Sequence, residues 1–341
     1  MISASPWFPH TLIITDTSHF TGESRRDLRL VYKNEWGYHN AQSKIVPGGC
    51  CKVQKGEIYR LLEALHDLPS IPTHGREVLE MIEAPEAFDL GRLSQVVERD
   101  PGMASFFLKN ARRSVAADFS TAREAILYLG AGSSRNILIY YFISLFYAPK
   151  KGSAHRTFDI RHYWLHVLAT SIAAEEIARL IVYDDAYWLF TYGLLHDMGI
   201  LVLDFYQPDE MDEIHRLTLA GMHQIVAEKE VLGGETHSDV GGWLCDRWNL
   251  PEDIASMVRY HHTPYRAPNL TREVRILYVA DVIGTLYYER LLNISTEVRL
   301  PERRIMESLG LRIEDVERIG RELHDKVESF REHYIFSPES A

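Results

Sequence analysis

The stretch GLLHDMGI, residues 193–200, joins an apolar run to two adjacent polar side chains, His196 and Asp197. Neighbouring residues on an α-helix point about 100° apart, so the two side chains can reach one ion only from the inward edge of a helix. Leu194 and Leu195 are apolar enough to bury that edge. An imidazole nitrogen and a carboxylate oxygen are a ligand pair for iron, manganese, nickel or zinc. The doublet therefore indicates either a metal site in a helical protein or a polar end on a buried helix.

Helical periodicity continues on both sides of this stretch. The longer helices are predicted at 159–181, 185–197, 209–231, 237–248, 251–261, 271–290 and 313–331. Shorter helices are predicted earlier, starting with EIYRLLEAL at 57–65, and a polar break at 149–152 separates the two series. Before residue 56 only two short β-like runs occur, at 11–15 and 28–32.

This pattern predicts an all-α fold. A helical bundle is preceded by a smaller helical subdomain, with a short N-terminal extension of mixed or irregular structure. The predicted divisions are an extension of unassigned role at 1–55, a first helical part at 56–150, and a second helical part with the C-terminal helices at 151–341.

The charge and cysteine content restrict the class of protein. The chain has 48 acidic and 37 basic side chains and a net charge of −11, whereas a nucleic-acid backbone attracts a basic surface, so no nucleic-acid partner is expected. Three cysteines, two of them sequence neighbours, suit a reducing cytosol. The most apolar run, 137–148, is shorter than the roughly 20 residues that cross a bilayer. We therefore expect a cytoplasmic protein without a secretory signal or a membrane partner.

Further potential ligands follow the same order along the chain. Nine of the sixteen histidines lie between residues 155 and 262. The ones whose positions suit a metal site are His166, a helix length and a turn before the doublet; His237, near a helix start; and His261 with His262, at a helix end. Asp281 lies in the apolar stretch LYVADVI, where a buried carboxylate needs a partner.

Each of these residues also has a purely structural interpretation. His166 could be a core histidine bonded to a carbonyl, His237 a helix cap, and the His261–His262 pair a solvated helix end favoured by the helix dipole. Separate structural explanations of this kind fit each residue better than they fit the whole ordered group. Metal binding is therefore the favoured interpretation.

Several stretches resemble the HDOD family, a helical signalling-output relative of the HD superfamily of metal-dependent phosphohydrolases. The resemblance covers roughly residues 57–290. It is carried by LPSIP (68–72), VVERDPGMASFFLKNARRS (96–114), AILYLGAGSSRNILI (125–139), HYWLHVLAT (162–170), GLLHDMGI, GGETHSDVGGWLCDRWNLPEDIASMVRYHH (233–262) and LYVADVI (277–283).

The resemblance implies an HD-domain-like bundle with one or two divalent transition-metal ions, iron, manganese, nickel or zinc. The implied ligands are His166, His196, Asp197 and Asp281, with His237, His261 and His262 as the further ligands of two-metal branches. Asp197 would bridge two ions, with His166, His196 and Asp281 on one side and the other three histidines on the other.

Two departures from the active relatives bear on activity. Their doublet continues as HDxGK, whose lysine helps to hold substrate phosphate, but Ile200 stands at that position here. The GYP motif of the cyclic-dinucleotide phosphodiesterases is also missing from HHTPYRAPNL at 261–270.

Three functions remain open from the sequence. The favoured one is a bacterial regulator, an HDOD-type signal-transduction protein with an HD-like metal site that acts through signalling protein partners. The first alternative is a metal-dependent phosphohydrolase or phosphodiesterase for a nucleotide or another phosphoester, and the second is a metal-free helical scaffold.

Overall fold

The computed structural model describes residues 13–14, 30–31, 56–63, 74–83, 89–115, 117–144, 157–184, 186–294 and 300–333. The chain forms two compact units, Met1–Cys50 and Cys51–Ala341. In the first unit, strands β1 (Ile13–Ile14) and β2 (Leu30–Val31) pair antiparallel. They fall within the two predicted β-like runs, and the rest of the predicted extension lies outside the described residues.

The second unit is all-α in its described residues, as predicted. Its first helices are α1 (Glu57–Glu63), α2 (Gly75–Glu83), α3 (Leu90–Arg99), α4 (Pro101–Val115) and α5 (Ala122–Ser144). Asp89 caps α3 by accepting a hydrogen bond from the Arg92 amide, and Asp100 accepts one from the Met103 amide at the start of α4. Gly130, with φ of 74°, breaks the helical backbone inside α5.

The helices of the second part follow with short connections. They are α6 (Ile160–Leu180), α7 (Ala186–Leu195), α8 (Met198–Tyr206), α9 (Pro208–Leu219), α10 (Gln224–Val231), α11 (His237–Trp248), α12 (Glu252–Tyr260), α13 (Thr271–Leu292), α14 (Arg303–Leu309) and α15 (Ile313–His333). The polar break predicted at 149–152 lies outside the described residues, so the division at residue 150 stays a prediction.

Two predicted helices end differently in the structure. The predicted helix 209–231 is split into α9 and α10, because the chain turns at Gly221, which has φ of 95°. The helix predicted to include the His–Asp doublet ends at Leu195, and α8 begins at Met198. The doublet therefore occupies a turn between two helices, which lets both side chains face the same side.

Helices α6, α7 and α13 form the centre of the second unit. Helix α6 packs extensively against both α7 and α13. Gly193 and Gly284 allow this, since a Cβ on Gly193 would lie 2.5 Å from the Ser171 Cα and one on Gly284 would lie 2.1 Å from the Thr170 Oγ1. The earlier helices join the same core through the Tyr140 and Trp164 rings, whose centroids are 5.3 Å apart. Within the described residues no helix has both the length and the apolar character to span a membrane.

Candidate metal centre

The structure brings all seven predicted ligand residues to one place. His166 lies on α6, the doublet lies in the turn between α7 and α8, and Asp281 lies on α13. His237 is the first residue of α11, and the His261–His262 pair directly follows α12. Two sets of donor atoms result, each with its atoms within 4.8 Å of one another: His166, His196 and Asp281 in one, and Asp197, His237, His261 and His262 in the other.

Asp197 lies between the two sets. Its Oδ1 is 3.0 Å from the Nε2 of His237 and 3.5 Å from the Nε2 of His261, both members of its own set. Toward the other set, its Oδ2 is 3.2 Å from the Nε2 of His166, and its Oδ1 is 3.2 Å from the Nε2 of His196. Asp197 therefore contacts histidine nitrogens of both sets through its two carboxylate oxygens.

Asp281 links the sets from α13. Its Oδ1 is 3.3 Å from the Nε2 of His166 and 3.6 Å from the Nε2 of His196, while its Oδ2 is 3.3 Å from the Nδ1 of His262. The Nε2 of His262 in turn lies 3.1 Å from the Nε2 of His237. Five chain segments therefore bring their nitrogen and oxygen atoms together at this place.

Three of the histidines have their outer ring nitrogen held in place. The Nδ1 of His196 lies 2.7 Å from the Gly193 carbonyl oxygen, and the Nδ1 of His261 lies 2.8 Å from the Val258 carbonyl oxygen. Because a carbonyl can only accept, each Nδ1 carries a proton and each Nε2 faces the centre, where the neutral ring presents its lone pair. This is the tautomer that a metal-binding imidazole needs.

His237 is held by a side chain instead of a carbonyl. Both carboxylate oxygens of Glu228 approach its Nδ1, at 2.7 and 2.8 Å, and one of them also accepts a hydrogen bond from the His237 amide at 3.0 Å. Thr236 and Asp239 form a capping box that makes His237 the first residue of α11. Glu228 was missed in the sequence, where it is an ordinary helix residue in QIVAEKEV and gives no local signal of a partner nine residues later.

The donor set fits a cation better than it fits an empty polar core. The Nε2 of His196 and the Oδ1 of Asp197 are buried and 3.2 Å apart, yet neither makes a hydrogen bond of acceptable geometry among the described residues. Leaving such groups without partners costs free energy, and a cation bound by both would remove that cost. Nitrogen and oxygen donors without thiolate suit iron, manganese, nickel or zinc.

In the absence of a cation, protons on the histidine rings balance part of the negative charge of the two carboxylates. Burial opposes protonation of His166 and His196, but the carboxylates of Asp197 and Asp281 outweigh it and raise the pKa of His166 to about 9 and of His196 to about 10. Burial likewise works against ionised Asp197, but the neighbouring histidines hold the pKa of its carboxyl well below the usual range. For His261 and His262, burial lowers the pKa of each ring.

The centre lies at the base of an open cleft of about 1080 Å³. His196 and His261 are fully buried behind it, whereas the side chains of His262 and His166 retain 24% and 12% of their exposure and line it. Aromatic side chains of Trp243, Tyr278 and Tyr288 form part of its wall, and its basic side chains are those of Lys229, Arg259 and Arg266. Solvent and a ligand can therefore approach the centre from one side.

Ile200 does not face this cleft. It is 4% exposed on α8 and packs in the core, and it is not one of the described residues that line the cleft. Of the cleft cations, Arg259 is ion-paired with Asp246 and donates to the Gly242 carbonyl oxygen. The position that the active relatives' HDxGK motif fills with lysine is thus apolar and covered here.

Comparison with known proteins identifies related chains. A family model described as the HDOD domain matches residues 68–264. A protein of uncharacterised function from Treponema pallidum (strain Nichols) is 23% identical over 215 residues, which are 61% of this chain and 40% of that protein.

Solved structures share the fold. An HDOD domain protein of unknown function from Geobacter sulfurreducens aligns with a TM-score of 0.62 and 21% identity, over 82% of this chain and 97% of that chain. A protein proposed to act in signal transduction, from Marinobacter aquaeolei VT8, aligns with a TM-score of 0.64 and 23% identity, over 77% of this chain and 58% of that chain. The present chain therefore spans less than two thirds of the Treponema and Marinobacter proteins.

Proposed function

The chain belongs to the HDOD domain family, and from this premise we propose that it is a regulatory signal-transduction protein that holds one or two divalent transition-metal ions and acts through protein partners. The observation that carries the proposal is the convergence of seven nitrogen and oxygen donors with Asp197 shared between two sets. The cytoplasmic location and the absence of nucleic-acid or membrane partners belong to the same proposal.

The proposed ligand roles follow the two sets. His166, His196 and Asp281 would hold one ion, His237, His261 and His262 the other, and Asp197 would bind both. Such ions supply Lewis acidity toward an oxygen ligand when they are bound. The chain itself contributes the His196 and His261 rings, which carbonyls hold with Nε2 toward the centre, and the exposed edges of His166 and His262, which leave an incoming ligand access from the cleft.

The regulatory function is favoured over turnover because of the charges around the cleft. A phosphoester brings negative charge that a catalyst has to neutralise, and enzymes do so with positioned cations or dipoles. Ile200 provides none, and Arg259 is already bound to Asp246. A phosphoester could then serve as a sensed ligand more readily than as a substrate.

A metal-dependent phosphohydrolase or phosphodiesterase is the second candidate. One observation favours it: the cleft is open, and the exposed side chains of Lys229 and Arg266 stand on its wall within reach of solvent. The third candidate is the metal-free scaffold, for which the convergent buried donors offer no support.

Two measurements separate these functions. We expect anaerobic, chelator-free preparations to hold iron, manganese, nickel or zinc by elemental analysis, and content below about a tenth of an equivalent would exclude both metal-dependent functions. We then expect background activity against a phosphodiester panel with manganese or ferrous iron. Turnover that His196→Ala and Asp197→Ala abolish would instead establish the hydrolase.

A further inference from the structure

We propose that Glu228 is a positioning residue of the metal centre: it fixes His237 as a neutral Nε2 donor and supplies the negative charge that holds a cation at the Asp197 set. This inference rests on the proposed metal binding and names a residue that is not among the seven ligands. It concerns an outer carboxylate that reaches the ion only through His237.

The geometry carries the first step. Glu228 lies on α10, is 1% exposed, and contacts the Nδ1 of His237 with both carboxylate oxygens and the His237 amide with one. A carboxylate only accepts hydrogen bonds, so the Nδ1 carries a proton, and the Nε2 is the nitrogen that presents a lone pair when the ring is neutral. That Nε2 is 3.0 Å from the Oδ1 of Asp197, which directs it into the centre.

The second step is that a carboxylate is more than the fold requires. His196 and His261 achieve the same orientation with backbone carbonyls, without a buried charge. Burying a carboxylate is expensive, and no lysine or arginine pairs with Glu228 in the part of the chain that the structure describes; its other side-chain partner is the Gln224 amide, at 2.9 Å. A charge kept at this cost needs compensation, and the cation on the far side of the imidazole ring supplies it.

The third step is a charge count. Asp197, Asp281 and Glu228 place three negative charges in or around the centre when the histidines are neutral. One divalent ion leaves a net charge of −1 in a buried site, and two leave +1, so Glu228 favours loading of the second ion. Hydrogen bonding to a carboxylate also raises the basicity of a ligating imidazole. Removing the charge should therefore weaken the Asp197 set more than the set that contains His196.

The test is a Co²⁺ titration of the full chain, followed by the visible ligand-field spectrum and by elemental analysis of bound metal. The variants are Glu228→Gln, which is nearly isosteric but neutral, and the matched control Glu230→Gln, an exposed glutamate on the same helix. We expect Glu228→Gln to raise the dissociation constant of the lower-affinity Co²⁺ site by about 10- to 100-fold and to change the spectrum of that site. Glu230→Gln should leave both the affinity and the spectrum unchanged.

A second comparison excludes a merely structural role. On a His237→Ala background, Glu228→Gln should change Co²⁺ affinity much less than it does in the wild type, because the hydrogen bond to His237 is gone and only the longer-range effect of the charge remains. If Glu228→Gln does not fold, Glu228→Asp carries the test: it keeps the charge, withdraws the carboxylate by one methylene, and should also weaken the site about tenfold or more.

The outcomes are distinguishable. Wild-type affinity and spectrum in a folded Glu228→Gln or Glu228→Asp protein would overturn this inference alone and leave the metal centre intact. Wild-type protein that binds no Co²⁺ would overturn the proposed function and this inference with it.

Discussion

At the scale of single residues, the centre depends on which ring nitrogen of each histidine carries a proton. His196 and His261 are fully buried, and hydrogen bonds to carbonyls hold each ring with its Nε2 inward. Such rings cannot rotate to another partner without opening the core. A preformed donor set of this kind loses little conformational entropy when it binds an ion.

Metal binding should depend on pH. In the metal-free protein the pKa values of about 9 for His166 and about 10 for His196 keep both rings protonated at neutral pH, and an ion must displace those protons. Burial also opposes protonation of His237, but Glu228 and Asp197 raise its pKa well above the usual range, so up to three protons are released. Apparent affinity should therefore rise by about ten- to 1000-fold per pH unit between pH 6.5 and 8.5, one factor of ten for each proton released. Calorimetry in buffers of different ionisation enthalpy measures the protons; an affinity that is flat over this range would contradict the prediction.

The metal-free protein should show the opposite trend in stability. Its raised histidine pKa values stabilise the fold fully below the unfolded value of about 6.5, and that contribution is lost as the pH rises through 9 and 10. The gain in melting temperature on metal loading should therefore grow with pH.

Ile200→Lys tests whether the missing lysine can simply be restored. Since Ile200 is buried in the core, a lysine there should lower the free energy of unfolding by about 3 kcal/mol and should not increase phosphate affinity. Ile225→Lys is the matched control, because Ile225 is half-buried and lines the cleft, so the same change should cost less there. Denaturant unfolding and phosphate titration measure the two effects, and a stable Ile200→Lys protein with tighter phosphate binding would refute this expectation.

At the scale of helices, glycine contacts bring the ligand-bearing segments together. A Cβ on Gly199 would lie 2.0 Å from the His237 carbonyl oxygen and 2.7 Å from the Gly241 amide nitrogen, so α8 and α11 touch through their backbones. This contact places the doublet, just before α8, beside His237 at the start of α11. The doublet and His237 therefore share one rigid junction.

Gly199→Ala should separate this junction. The added methyl group has no space beside the His237 carbonyl, so we expect a loss of about 2 kcal/mol in stability and a clear loss of bound metal. Gly320→Ala on α15 is the matched control, since its nearest new contact is the Ile283 Cγ2 at an ordinary 3.9 Å, and alanine favours a helix by about 1 kcal/mol. Thermal unfolding and metal content compare the two; equal metal retention would argue against the junction.

At the scale of the whole molecule, the centre joins segments that are distant in sequence. Its donors come from α6, the α7–α8 turn, α11, the end of α12, and α13, so a bound ion crosslinks most of the second helical part. Helices α3 to α5 contribute none of these donors. Ligand binding to the folded state alone stabilises it in proportion to the logarithm of the ligand concentration.

Removal of metal should therefore destabilise the helices that carry ligands more than the other helices. Stripping the ion with a chelator should cost about 2.7 kcal/mol relative to protein held at 100 times its dissociation constant for metal. Hydrogen exchange should accelerate most in α6, α11 and α13 and least in α3 to α5, as followed by mass spectrometry of peptides. Equal acceleration throughout would indicate that the ion does not crosslink the second part.

The amino-acid sequence alone predicts the all-α class, most helix positions after residue 56, and the seven candidate ligand residues that the structure brings together. Periodicity reports helices because the pattern of apolar residues depends on neighbours three and four positions away. The donors were identifiable because His and Asp are unusual in apolar stretches such as LYVADVI, and the family's order of motifs covers them.

The remaining features could be seen only once the helices were packed together. The turn at His196 and Asp197, the pairing of Glu228 with His237, the backbone contact at Gly199 and the covered position of Ile200 all depend on segments distant in the chain. The local sequence does not identify such partners, because the pattern around a glutamate, a glycine or an isoleucine in a helix does not depend on what packs against it. The residue types that can bind metal can thus be read from the sequence, whereas their tautomers, spacing and access to the cleft depend on how the helices pack.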